Sequence, residues 1–177
     1  MFKMTPTTES FILHWGEMGT KWGVNRTVAQ IHALLFLSPD PLHAEDIAET
    51  LTVARSNVSN SLRELQGWGI VKVVHVMGDR RDHYESMKDV WEMFRIILDE
   101  RKKRETDPTL AVLRELTSGA KGKSKDDHTQ QRLGDMLEFF ESMTAWYGQM
   151  RRLPKGALIK FMKMGDKILK LIPGGAK

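Results

Sequence analysis

Between residues 43 and 87 two short helical patterns are followed at once by a β-ribbon, and no other stretch limits the fold so tightly. Ile47, Ala48 and Leu51 give the first helix an apolar stripe, and Val58, Leu62 and Leu65 give the second one. Only Thr52, Val53 and Ala54 separate them, the tight connection of a helix-turn-helix. Residues 70–76 then form a β-branched run, 83–86 read as the returning strand, and Gly78, Asp79, Arg80 and Arg81 fall at the tip between them. The pattern predicts a mainly α chain with a small β-wing: a winged helix-turn-helix, with further helices on either side.

That unit is suited to gripping duplex DNA. Its second helix lies in the major groove, with its N-terminal residues near base edges and phosphates. The outward positions are Arg55, Ser56, Asn57, Ser59, Asn60 and Arg63. Arginine pairs with guanine O6/N7, asparagine with adenine N6/N7, and serine with base or phosphate. Arg80 and Arg81 at the ribbon tip are the candidates for a minor groove, whose negative potential attracts guanidinium groups. Asp79 is expected to act within the protein, orienting one of these arginines through charge-assisted hydrogen bonds. Gly67 and Gly69, flanking Trp68, are expected to permit a sharp exit from helix into strand.

The strings NVSNSLRELQGWGIVKVV, GDRRDHYES and DVWEMF resemble the MarR-type winged-helix regulators, and most of all their GbsR-like branch, which is associated with control of osmoprotectant uptake and synthesis genes. The resemblance covers about residues 26–106; elsewhere only the layout of helices matches. It implies a cytoplasmic homodimer that represses transcription and leaves room for a small-molecule effector. Ala54 departs from the pattern, since many relatives place a Ser or Thr there to cap the recognition helix.

Charge is placed locally rather than globally. The formal net charge is +4, but residues 151–177 hold eight Lys/Arg against one Asp, leaving a net −3 on residues 1–150. Residues 55–81 carry five basic and two acidic side chains, so affinity for a polyanion must come from that surface, doubled in a dimer. The chain has no cysteine, which excludes disulfides and thiol catalysis and fits a reducing cytoplasm. The stretch MFKMTPTTESFILHW lacks the long apolar run of a signal peptide or membrane span. A soluble cytoplasmic protein is expected.

The flanking segments read as helices. Thr7 or Thr8 is a candidate cap for a first helix through Phe11, Ile12, Trp15 and Met18, and a second helix over 26–37 stops at Ser38-Pro39-Asp40-Pro41. After the wing, 89–105 is helical until Asp107-Pro108 interrupts it, and a short helix follows. Leu133, Met136, Leu137, Phe140, Met143, Tyr147 and Met150 stripe a long helix, which Leu153-Pro154 breaks. Leu158, Phe161, Met162, Ile168, Leu169 and Ile172 stripe another, with Lys160, Lys163, Lys167 and Lys170 opposite. The expected organisation is an N-terminal helix contributing to dimerisation (1–25), the winged helix (26–88), a connecting helix (89–117), a flexible basic linker (118–125) and a helical dimerisation region (126–177). A basic amphipathic last helix also fits an anionic membrane surface or another protein, although dimer packing explains its stripe equally well.

Trp15, Trp22, Trp91, Trp146 and Tyr147 are the candidates for an aromatic cage around a quaternary ammonium osmolyte, the kind of effector that the resemblance suggests. Packing in the core is the simpler use of such rings. No Gly-rich phosphate loop, His-Glu-x-x-His or nucleophile–base arrangement occurs, and no enzyme or cofactor is expected. The six histidines (14, 32, 43, 75, 83 and 128) lack metal-ligand spacing; His75 and His83 are expected to face each other across the wing as a surface pair. The alternative from another class is a winged helix that contacts protein without sequence-specific DNA binding.

Overall fold

The computed structural model describes residues 3–118 and 127–164. The chain divides into two compact units, Met1–Ile97 and Leu98–Lys177.

The first unit is the winged helix with one helix before it. Helix α1 (Pro6–Lys21) is capped by Thr5, not by Thr7 or Thr8. The Thr5 hydroxyl accepts the Thr8 N–H at 3.2 Å, and Pro6 occupies the first helical position, where its missing N–H costs nothing. Helix α2 (Arg26–Leu37) starts at Asn25, whose side chain accepts the Thr27 N–H at 2.8 Å. The Lys88 ammonium closes its other end, donating to the carbonyls of Leu35, Phe36 and Ser38 at 2.9, 2.9 and 2.7 Å. Strand β1 (Leu42–His43) leads into α3 (Ala44–Leu51) and α4 (Arg55–Gly67). The three-residue turn between these helices opens with Thr52 in the left-handed region, at φ +54°.

The wing is β2 (Val71–Val74) and β3 (His83–Ser86), with Val74 opposite His83 and Val71 opposite Ser86. It is shorter at both ends than residues 70–76 suggested. Ile70 turns into the core and gives its N–H to the Leu65 carbonyl, while Val76 lies exposed in the turn. Of the glycines around Trp68, only Gly69 takes positive φ (+77°); Gly67 is still helical. β1 pairs antiparallel with β3, Leu42 opposite Tyr84, to make a three-stranded sheet of order β1-β3-β2. The sequence did not announce β1, because two residues cannot show a period.

The core joins Ile31, Leu34 and Leu35 of α2, Ile47 of α3, Val58, Leu62 and Leu65 of α4, and Ile70, all almost fully buried. On α4 this burial lies on the predicted inward stripe, so the opposite face is left to solvent. Helix α5 (Val90–Arg101) begins on Asp89, which accepts the N–H groups of Trp91 and Glu92.

In the second unit the expected break at Asp107-Pro108 does not occur. One π-helical turn, Lys102–Thr106, leads directly into α6 (Asp107–Ser118). Proline clashes with the carbonyl four residues back in a regular helix, and the wider turn just before Pro108 relieves that clash. Helix α7 (Asp127–Arg152) packs on α6, where Leu110 and Leu113 are buried and Arg114 pairs with Glu141 at 2.9 Å. Tyr147 and Arg151 both donate to Asp99. Pro154 ends α7 and starts α8 (Lys155–Lys163), as its sequence position suggested. Most of the basic stretch expected as a linker, 119–125, and positions 167–172 of the last stripe lie outside the described residues. No helix among the described residues is long and apolar enough to cross a membrane.

Candidate nucleic-acid interface

Helix α4 presents a polar face beside the wing. Arg55, Ser56, Asn57, Asn60 and Arg63 are exposed and Ser59 is half-buried, while Val58, Leu62 and Leu65 hold the opposite side in the core. Arg63 donates to the Asn60 side-chain amide oxygen Oδ1 at 2.7 Å, and Arg55 donates to the Ser59 hydroxyl. Ser56 and Asn57 have no side-chain partner among the described residues and are free to meet a ligand. Ala54 at the N-cap supplies no side-chain bond, so the first N–H groups of α4 are also open. Asn57, Asn60 and Glu64 face the start of α2 across a shallow cleft that Asn25, Thr27 and Val28 complete.

The wing tip separates its two arginines. Gly78, at φ +86°, makes the turn, and the Asp79 carboxylate then takes the Arg81 backbone N–H at 3.0 Å and the Arg81 Nε at 2.9 Å. That guanidinium holds the Asp79 carboxyl well below the usual carboxylate range, and Asp79 in turn raises Arg81. Asp79 therefore bonds Arg81, the second of the two tip arginines. Arg80 has no such partner among the described residues and stays exposed.

Arg81 also ends a polar chain that sequence reasoning missed. Its Nη1 lies 2.8 Å from His43 Nε2; His43 Nδ1 lies 3.0 Å from Glu45 Oε2; and Glu45 Oε1 accepts Arg55 Nε at 2.8 Å. Arg55 holds the Glu45 carboxyl down to about 2. His43 further faces Asp46, with Nε2 3.0 Å from Oδ2 and Nδ1 3.3 Å from the backbone N–H it caps. His83 stacks edge-on against His43 at 5.6 Å and donates from Nδ1 to the Arg81 carbonyl. His83 thus faces His43, and not His75 as expected. The register opposes His83 to Val74, which leaves His75 exposed near Asp82. A histidine just before Ala44-Glu45-Asp46 was a capping signal, but its partners lie ten and thirty-eight residues away from Glu45 and His43.

The aromatic candidates divide between the two units, with Trp15, Trp22 and Trp91 in the first and Trp146 and Tyr147 in the second. Trp15 meets Trp22 edge to face at 5.5 Å and stacks with Phe11, beside the buried His32 ring. Trp91 is half-buried, Trp146 is exposed, and Tyr147 is bonded to Asp99. Among the described residues no cluster of His, Asp or Glu is arranged to hold a metal ion.

Residues 22–82 match the model of the MarR family. The matched stretch runs from the end of α1 to the wing tip and contains the polar face of α4 and the chain Arg55–Glu45–His43–Arg81. A solved structure described as a transcriptional regulator aligns over 89% of this chain and 99% of its own, at 18% identity and a TM-score of 0.64. At that identity the likeness is one of fold: mostly helical, with a small antiparallel sheet. Staphylococcus aureus MepR in complex with DNA aligns over 79% of this chain and 99% of its own (18% identity, TM-score 0.38). A variant of Lactococcus lactis ZitR does so over 80% and 99% (18% identity, TM-score 0.33). No curated protein sequence matches the chain.

Proposed function

We propose that this protein is a sequence-specific double-stranded DNA-binding regulator of transcription. The observation that carries the reading is the division of labour on α4: one face is locked into the core, and the other offers arginine, serine and asparagine side chains beside a wing whose Arg80 is free. This is the chemistry that reads major-groove edges and grips phosphates. The match of residues 22–82 to the MarR family supports it.

The finer reading is a repressor of the GbsR-like branch, acting as a homodimer on a pseudo-palindromic operator. Two copies of α4 would enter successive major grooves, with the wings flanking them. Helix α7 supports the dimer. Met136, Phe139, Met143 and Trp146 recur at helical spacing and are all about half exposed, a stripe that suits a second copy. An effector, a quaternary ammonium osmolyte for example, would act by changing the separation of the two recognition helices.

Selection of the full chain against a random duplex library tests the reading. A symmetric enriched motif, bound more weakly by Arg80→Ala with a salt slope about one unit smaller per wing, is the expected result. Failure to enrich any motif at low salt refutes it and favours a winged helix that contacts protein.

A further inference from the structure

The wing ends in an apolar side chain. Met77 is fully exposed, whereas the other exposed large apolar side chains among the described residues are only 38–59% exposed. A lone exposed methionine is ordinary, but the mounting of this one is not. The paired strands stop at Val74 and His83, so residues 75–82 project beyond the sheet. The Asp79 N–H donates to the Val76 carbonyl at 3.1 Å, and Gly78 between them takes φ +86°. This closure and this third-residue φ belong to a type II turn, and they put Met77 at its first corner. The Asp79 carboxylate then accepts the Arg81 backbone N–H at 3.0 Å and braces the returning limb. The tip is therefore a braced turn that carries one apolar side chain three residues before the exposed Arg80.

We propose that Met77 is an apolar wedge that the wing inserts into the minor groove, partly unstacking one base step and so reading the flank of the operator by its deformability. The inference deepens the DNA-binding reading above and rests on it. Charge brings the tip to its place, because the negative potential of a minor groove attracts the Arg80 guanidinium, and Met77 arrives with it. Base edges in that groove distinguish little beyond A·T from G·C, so an uncharged side chain there selects sequence by what it displaces. Methionine is unbranched, with a polarizable thioether, and is slim enough for a groove about 6 Å wide. It is among the apolar side chains able to wedge base steps apart. Opening a step costs stacking, least at TA and CA/TG steps, and burial of the methionine offsets that cost. The turn is already braced, so little loop entropy is lost on insertion. Reading is thus divided: α4 meets base edges, and the wing tip meets stiffness.

Two measurements on the full chain test this. First, the duplex selection is repeated with Met77→Gln, close in size but polar, and with Met77→Leu. The wild type and Met77→Leu should enrich a TA or CA/TG step in each flank. Met77→Gln should lose that flank preference and keep the half-sites met by α4. Second, affinity for the wild-type motif is followed by fluorescence anisotropy over a range of salt, and 2-aminopurine replaces the adenine of the flanking step. Met77→Gln should bind about tenfold more weakly at every salt concentration, with an unchanged slope of log K against log salt. Arg80→Ala should instead lower that slope by about one per wing. The 2-aminopurine should brighten when the wild type binds and stay quenched with Met77→Gln. Equal urea midpoints for these proteins, expected of changes at an exposed turn, exclude a folding defect. Full affinity or an intact flank preference in Met77→Gln overturns the proposal, as does a flanking step that stays stacked under the wild type. A loss of affinity that comes with a smaller salt slope also overturns it, since the substitution would then act through Arg80. Failure of the wild type to enrich any motif at low salt refutes the DNA-binding reading itself, and it shows before any variant is compared.

Discussion

The packing of α1 on α2 offers a sharp energetic test, because it depends on a missing methyl group. A Cβ built at Gly19 would lie 2.5 Å from the Ala29 Cβ, whereas carbon atoms in good contact sit about 3.5–4.0 Å apart. Gly19→Ala therefore requires the helices to part by about 1 Å. Overpacking of this kind costs roughly 1–3 kcal/mol, against a gain of up to about 1 kcal/mol from replacing a helical glycine. The net expectation is a loss of about 0–2 kcal/mol. Ala29→Gly alone should cost about 1 kcal/mol in helix propensity, and somewhat more for the hole it leaves. Together the two changes place the methyl group on the other helix: the clash disappears and the propensities nearly cancel. The double variant should lie within about 1 kcal/mol of wild type, a coupling of about 1–3 kcal/mol. Urea titrations at equal m would read these differences as shifts of the midpoint. Additive effects, within about 0.5 kcal/mol, would mean that Gly19 and Ala29 do not touch and would sink the argument. Gly16→Ala is the internal contrast: its Cβ would meet Gln30 Cγ at 2.6 Å, part of a flexible side chain, and should cost less.

Three other outcomes are open to measurement. His32 is buried beside Trp15 and Phe36 with Nε2 unbonded, and burial, aided by the Lys88 charge, pulls its pKa from 6.5 to about 4. The unfolded chain therefore takes up the proton first as pH falls, so stability should decline by about 3 kcal/mol between pH 6.5 and 4; His32→Leu should remove that slope in denaturant titrations. Ala54→Ser would supply the cap that α4 lacks and should raise stability by about 0.5–2 kcal/mol; an unchanged thermal midpoint would show that the α4 N–H groups gain nothing from the hydroxyl. Lys88→Met removes the donor shared by three carbonyls at the end of α2 and should cost about 1.5–3 kcal/mol, with Lys88→Arg recovering part of it; equal urea midpoints for Lys88→Met and wild type would contradict that role.

By itself the sequence determined what depends on neighbours in the chain. The bounds of α2, the existence of α4, the three-residue turn and the strand His83–Ser86 all follow from apolar period and turn residues, which act over a few positions. The same period decided which face of α4 is buried and so which side chains are offered outward. Tertiary structure decided what depends on approach in space. β1 exists because Tyr84 and His83 lie beside Leu42 and His43. Pro108 continues a helix because the preceding turn widens to admit its ring. Arg80 and Arg81 are indistinguishable as letters, yet one is free and the other is held by Asp79 and a histidine thirty-eight residues earlier. Local patterns carry no term for such a distant partner: the bond forms only once the core has brought α3 and the wing together.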